Sequence, residues 1–252
     1  MKIIISPAKK MRALADYPEP ASLPALLERS QRLLSHIQKL SYSELKTLLN
    51  CNDVIAAENY ARFQSMRLDD SMMQRGNSAI LSYDGIQYAY MAPQVFEQRY
   101  FDYVQAHVRI LSGFFGILRP LDAVVPCRLE MQARLCADGC RNLYEFWKDA
   151  LYRELAADER GGALIVNLAS AEYARAVVPY LSGNDRLVSC VFGQLENGRI
   201  REKGVYVKMA RGEMVRFLAE RAAFDVSDIA AFDRLGFHLY SMDENRFVFV
   251  KS

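Results

Sequence analysis

KIIISPAKK, residues 2–10, places three β-branched residues in a row and then a hydroxyl, a proline and two lysines. Ile3, Ile4 and Ile5 have the pattern of a strand covered on both faces, and Pro7, which cannot donate to a ladder, ends the pairing. Ser6, Lys9 and Lys10 then fall at a strand end. Ligands of open α/β sheets bind beyond the carboxyl ends of the strands, so the tail of this stretch predicts an anion site.

The rest of the chain fits an open sheet with helices. Its 252 residues are 51% hydrophobic and 25% charged, enough to bury a sizeable core. Its apolar runs fall far short of the ~20 residues of a membrane span, and KIIIS is too short for a signal peptide, so a cytoplasmic protein is expected. Five scattered cysteines, an odd number, fit reduced thiols better than a disulfide framework. Cys136 and Cys140 lack an adjacent histidine, and His36, His107 and His238 lie far apart, so neither a metal nor a cofactor is expected. A net charge of +2 neither demands nor excludes nucleic acid.

Helical spacing runs from Ser22 to about Met66, restarted by a capping box at Ser41 and Glu44 and again by a cap at Asn52 or Asp53. AILSYDGIQYAY, residues 79–90, has strand and turn character. Val95 to Leu111 returns to helical spacing and stops at Gly113. CRLEMQARL, residues 127–135, alternates as a strand does: Leu129, Met131, Ala133 and Leu135 on one face, Arg128, Glu130, Gln132 and Arg134 on the other. Leu143 to Leu155 reads as helix and ALIVN, residues 163–167, as a short buried strand. Two strands between Leu187 and Met209 flank Asn197-Gly198, a helix follows from about Glu213, Asp225 or Ser227 caps another, and a last hairpin turns at residues 243–245. With no repeat, linker or low-complexity tract, this predicts one intertwined, mixed α/β domain over 1–252.

HVRILSGFFGILRPLD, residues 107–122, carries the strongest local hint of function. If helices flank its glycines, backbone N–H groups at Gly113 to Gly116 face outward, where a phosphate oxygen can approach. The stretch looks like the hairpin of a helix-hairpin-helix DNA-binding motif, with one extra residue between its glycines, and places such an element at about residues 97–122. An αα-corner with glycine caps has the same letters.

Taken in order, six short motifs resemble the YaaA family of bacterial peroxide-stress proteins. They stand at Ile4 to Lys9, Leu111 to Asp122, Arg128 to Met131, Leu143 to Trp147, Asn167 to Tyr173, and Lys208 to Phe217, and so span nearly the whole chain. The resemblance implies a cytosolic protein that binds DNA, double-stranded included, and helps cells survive hydrogen peroxide, in part by keeping free iron low. It also implies a single-domain α/β fold with a helix-hairpin-helix element beside a positive cleft. Two departures stand out. Tyr83-Asp84-Gly85-Ile86 carries its acid before the glycine where many relatives carry one after it, and Gln132 follows RLEM where relatives often have glycine.

The expected DNA- and phosphate-binding residues are Ser6, Lys9, Ser112, Gly113, Gly116, Arg119, Arg128, Asn167, Ser170, Lys208 and Arg211. Between Arg199 and Arg221 seven basic residues outnumber the acids Glu202, Glu213 and Glu220, and four or five phosphate contacts would give a log–log salt slope of roughly −4. Phe114, Phe115, Tyr83, Tyr88, Tyr90 and Tyr173 are either core residues or surfaces for stacking on bases. An enzyme is the alternative: Lys9 or Lys208 with Glu130 forms a catalytic set for glycosylase-like nucleobase or nucleotide chemistry, unless Glu130 simply pairs with Arg128 or Arg134. Direct destruction of peroxide needs an activated thiolate or a redox metal, and the sequence shows neither in a recognisable motif.

Overall fold

Ile3, Ile4 and Ile5 have no exposed surface, because their strand, β1 (Lys2–Ile5), lies in the middle of an eight-stranded sheet. The computed structural model describes residues 1–12, 18–159 and 161–251. After β1 come the short β2 (Lys10–Met11), then α1 (Leu27–Ile37), α2 (Tyr42–Leu49) and α3 (Asp53–Ser65). Ser41 and Glu44 form the expected capping box on α2, and the Asn52 side chain caps α3. Next are α4 (Met72–Arg75), β3 (Asn77–Ser78), α5 (Ala79–Ser82), β4 (Tyr83–Asp84), α6 (Ile86–Met91) and α7 (Gln98–His107). The segment at 79–90, expected to be strand and turn, is therefore mainly two short helices joined by a two-residue strand.

The helix-hairpin-helix expectation is corrected at its second half. α7 stops at His107, and the chain continues as β5 (Val108–Ser112), a turn, and β6 (Gly116–Leu118), a β-hairpin. VRILS satisfies both helical and strand spacing, and the tertiary partner decides: β5 pairs in parallel with β1, Ile5 opposite Ile110, and all five of its residues are buried. Arg109 is buried and spends its guanidinium on the carbonyls of Gln105, Ala106 and Val108. Phe114 and Phe115 are core residues, Phe114 lying 5.5 Å from the Phe63 ring.

Beyond β7 (Ala123–Val124), the stretch expected as a strand at 127–135 keeps its alternation but makes no ladder. Leu129, Met131, Ala133 and Leu135 are buried while Arg128, Glu130, Gln132 and Arg134 are not. Alternation reports two faces, and an extended chain laid over a core has two faces without a strand partner. α8 (Leu143–Trp147) and α9 (Ala150–Ala156) divide the helix expected at 143–155. β8 (Leu164–Leu168) is the predicted buried strand, and α10 (Ala171–Ala174) follows it.

β9 (Arg186–Glu196) and β10 (Arg199–Arg201) form the hairpin at Asn197-Gly198, both with positive φ. α11 (Gly204–Glu220) begins earlier than expected, so Lys208 and Arg211 lie inside a helix rather than at a strand-to-helix junction. α12 (Val226–Ala230) is capped by Asp225, and β11 (Phe237–Met242) and β12 (Arg246–Lys251) close the chain as the predicted hairpin.

The sheet runs β11-β12-β9-β8-β1-β5-β6, with β10 beside β9. Its five central strands are mutually parallel and its two end strands antiparallel to their neighbours. From β1 the chain moves to β5 on one side, and from β8 to β9 on the other. β1 and β8 therefore flank a topological switch point, where an open sheet leaves a crevice beyond its carboxyl ends. The fold thus puts Ser6 and Ser170 at the place where a ligand is expected. Among the described residues no helix is long and apolar enough to cross a membrane.

Candidate anion-binding cleft

Ser6 and Ser170 leave β1 and β8 side by side and tie the two exits together. The Ser170 N–H donates to Ser6 Oγ at 2.8 Å, and the Ser6 hydroxyl reaches Ser170 Oγ at 3.3 Å. Tyr88 donates its hydroxyl to the Ser6 carbonyl at 3.0 Å, fixing α6 against the same exit. A cleft of about 480 Å³ opens here, floored by residues 6–10 and 170–173 and walled by residues 84–88 and by α11.

The wall depends on one glycine. α11 packs chiefly on α6, and a Cβ on Gly212 would lie 2.0 Å from the Gln87 carbonyl oxygen. Only glycine lets the two helices meet this closely. Three residues apart, Lys208 and Arg211 share the α11 face that lines the cleft. Neither has a carboxylate within ion-pair distance among the described residues, and the Arg211 Nε–H is buried without an acceptor. Burial draws the Arg211 pKa below its ordinary value, with Glu202 partly opposing that shift. An unpaired, desolvated guanidinium beside an ammonium is a site for an anion.

Lys9 and Glu130 also line the cleft. Glu130 Oε1 accepts from Lys9 at 2.9 Å and from Arg128 at 2.8 Å. Burial works to raise the Glu130 pKa, but these two hydrogen bonds outweigh it and hold the carboxyl below its usual value. The pairing of Glu130 with Arg128 is thus present, and Lys9 joins it. Glu172 lies nearby and shifts the other way: burial raises its pKa, the backbone N–H of Gln132, donating at 3.2 Å, pulls it back, and the charge of Glu130 adds to the rise. A narrower pocket behind Lys9, Glu130 and Tyr173 takes in Ser112 and Arg128.

Of the expected residues, Ser6, Lys9, Glu130, Ser170, Lys208 and Arg211 meet at the cleft, and Ser112 and Arg128 at its inner pocket. Four lie elsewhere. A Cβ on Gly113 would meet the Leu129 carbonyl at 2.4 Å, and the Gly113 carbonyl accepts Trp147 Nε1–H at 3.1 Å. Gly116, at φ +76°, sits under the Trp147 ring. Both glycines admit neighbouring protein groups, and the outward amides of the helix-hairpin-helix reading are not formed. Arg119 faces Glu154 at 3.5 Å, and Asn167 turns its side chain back to the Ala169 N–H at 3.0 Å.

Two functional-looking residues were not singled out from the sequence. Glu172 stands inside the quoted Asn167 to Tyr173 motif, two positions after Ser170, and that spacing was the available signal. Gln87, buried with its Nε2 unpartnered among the described residues, had none, since a strand reading of 79–90 hides which residues α6 turns inward. Asp84 does line the cleft, paired with Arg12 at 2.8 Å. The cleft's charge is therefore nearly balanced, with Lys9, Lys10, Lys208 and Arg211 against Asp84, Glu130 and Glu172. Much of the basic excess at 199–221 is spent locally, as in the pairs of Arg201 and Lys203 with Glu196 and of Arg216 with Glu220. Tyr83, Tyr88 and Tyr173 are buried, leaving Tyr90 the most exposed of the four tyrosines.

A family model described as peroxide stress protein YaaA matches residues 1–243. A UPF0246 protein of Desulfitobacterium hafniense is 56% identical, the match covering 100% of this chain and 98% of that one. UPF0246 proteins of Lactiplantibacillus plantarum and Lachnoclostridium phytofermentans are 47% and 46% identical, covering 99% and 97% of this chain and 99% and 92% of theirs. On both grounds, a match along nearly the whole chain and relatives of nearly equal length, the chain belongs to the peroxide stress protein YaaA family.

Proposed function

We propose that this protein acts in the response to hydrogen peroxide by binding DNA, with little sequence preference, through backbone phosphates held at Lys208 and Arg211. One observation carries the reading: Arg211 is desolvated, lines the cleft and has no acid partner among the described residues. A phosphate oxygen supplies the missing acceptor, and the family's name supplies the peroxide context. Protection of DNA and a lower level of free iron are the expected cellular results.

The test is a titration of a fluorescent duplex and its single strand at several salt concentrations. Lys208→Ala and Arg211→Ala each weaken binding and flatten the log–log salt slope by about one unit. Binding that is unchanged in both variants contradicts the proposal.

A second reading, nucleobase or nucleotide chemistry at the same cleft, is favoured by the carboxylate pair. Glu130 is held ionised by its cations while burial favours the protonated form of Glu172, the separation that an acid and a base require. Base loss or strand scission in DNA recovered from the titration supports this reading over binding alone.

A further inference from the structure

Two charged groups in the cleft lining ask for different groups on one ligand. Lys208 and Arg211 offer two cations, and the carboxylate whose charge acts on Arg211 is Glu202, outside the cleft. Glu172, beside Glu130 and Lys9, makes no ion pair among the described residues and accepts from the backbone at Gln132, leaving acceptor capacity for a donor. Gln87, another lining residue, carries a buried side-chain amide N–H with no acceptor among the described residues. A row of backbone phosphates alone matches Lys208 and Arg211 and is repelled by Glu172.

We propose that the cleft binds a free nucleoside monophosphate, with its phosphate at Lys208 and Arg211 and its hydroxyl or amino donors at Glu172. The inference rests on the reading of Lys208 and Arg211 as a phosphate site. Three features favour this ligand over a strand. A phosphomonoester carries about −1.5 to −2 charges near pH 7, which answers two cations, whereas an internal phosphodiester carries one. The volume of about 480 Å³ falls among small-molecule sites, about 300–1,000 Å³, and the site stands at the switch point of the sheet. Gln87 in the lining carries a side-chain amide N–H without an acceptor among the described residues, a donor that suits a heterocycle with its own acceptors better than a bare sugar phosphate.

The experiment is calorimetric titration of the full chain with the ribo- and deoxyribonucleoside monophosphates. Their parent nucleosides, ribose 5-phosphate and inorganic phosphate serve as separate arms. At least one monophosphate is expected to saturate the protein at millimolar concentration or below, more tightly than any of the other arms. Arg211→Gln weakens it at least tenfold and Glu172→Gln severalfold. Exposed Arg153, paired with Asp149 away from the cleft, can be replaced by alanine without effect. Lys208→Ala, at an exposed position, repeats the test if Arg211→Gln does not fold. Failure of every monophosphate to saturate overturns the inference, as does equal binding of inorganic phosphate or ribose 5-phosphate. A duplex titrated in parallel separates the two proposals. Duplex bound without any monophosphate leaves DNA binding standing and removes this inference, and a monophosphate bound without duplex does the reverse.

Discussion

Replacing Gly212 with alanine lowers the thermal midpoint by about 6–12 °C and weakens every ligand of the cleft. The added methyl would stand 2.0 Å from the Gln87 carbonyl oxygen and 3.0 Å from the Met91 nitrogen, both backbone atoms that cannot rotate away. α6 and α11 must part. Overpacking of this kind costs about 3 kcal/mol, and a protein of this size loses about 2–4 °C for each kcal/mol. Separating these helices also moves Lys208 and Arg211 away from the wall at 84–88. A thermal scan of wild type and Gly212→Ala checks the stability half, and a midpoint within about 2 °C of wild type contradicts the close approach.

Glu130→Gln is expected to cost about 3 kcal/mol in urea unfolding, because it removes the carboxylate shared by two cations. Side-chain exposure is 12% for Arg128 and 16% for Glu130, so Arg128 is left with little water to replace its partner. Lys9, 67% exposed, simply returns to solvent. The sign of the pH dependence follows from the lowered pKa of Glu130. A carboxyl depressed by folding contributes stability above its unfolded pKa and loses it as pH falls through the folded value. Wild type therefore loses more stability than Glu130→Gln on acidification through that range, and the gap seen at pH 7 narrows. Under the DNA-binding proposal, affinity for a duplex is expected to be unchanged or to rise as Lys9 is freed. A variant as stable as wild type at pH 7 contradicts the central place of this ion triad.

What could be read from the sequence depended on whether local pattern and tertiary partner agree. The isoleucine run at 3–5, the caps at Ser41 and Asn52, and the turns at Asn197-Gly198 and 243–245 are each fixed by chemistry within a few residues, and all stand as read. The stretch at 108–112 is different, since VRILS suits a helix or a strand and only β1 decides it. With that decision the glycine hairpin changes from an outward phosphate loop to a turn packed under Trp147. The exit residues Ser6 and Lys9 were legible because a buried run ending in proline announces a strand end. Lys208 and Arg211 were expected ahead of the helix rather than on one of its faces, and the closeness of α6 and the inward turn of Gln87 arise from a packing contact 125 residues apart in sequence, Gln87 to Gly212. No local pattern encodes such a contact.

The most direct measurement follows the Arg211 Nε–H resonance, assigned by its loss in Arg211→Lys, as duplex DNA is added at low salt. A buried donor with no acceptor among the described residues must respond when a phosphate arrives. The predicted result is a shift that saturates with the duplex and reverses on raising the salt. A resonance that stays still while the DNA is fully bound would place the interface elsewhere and contradict the assignment of the cleft.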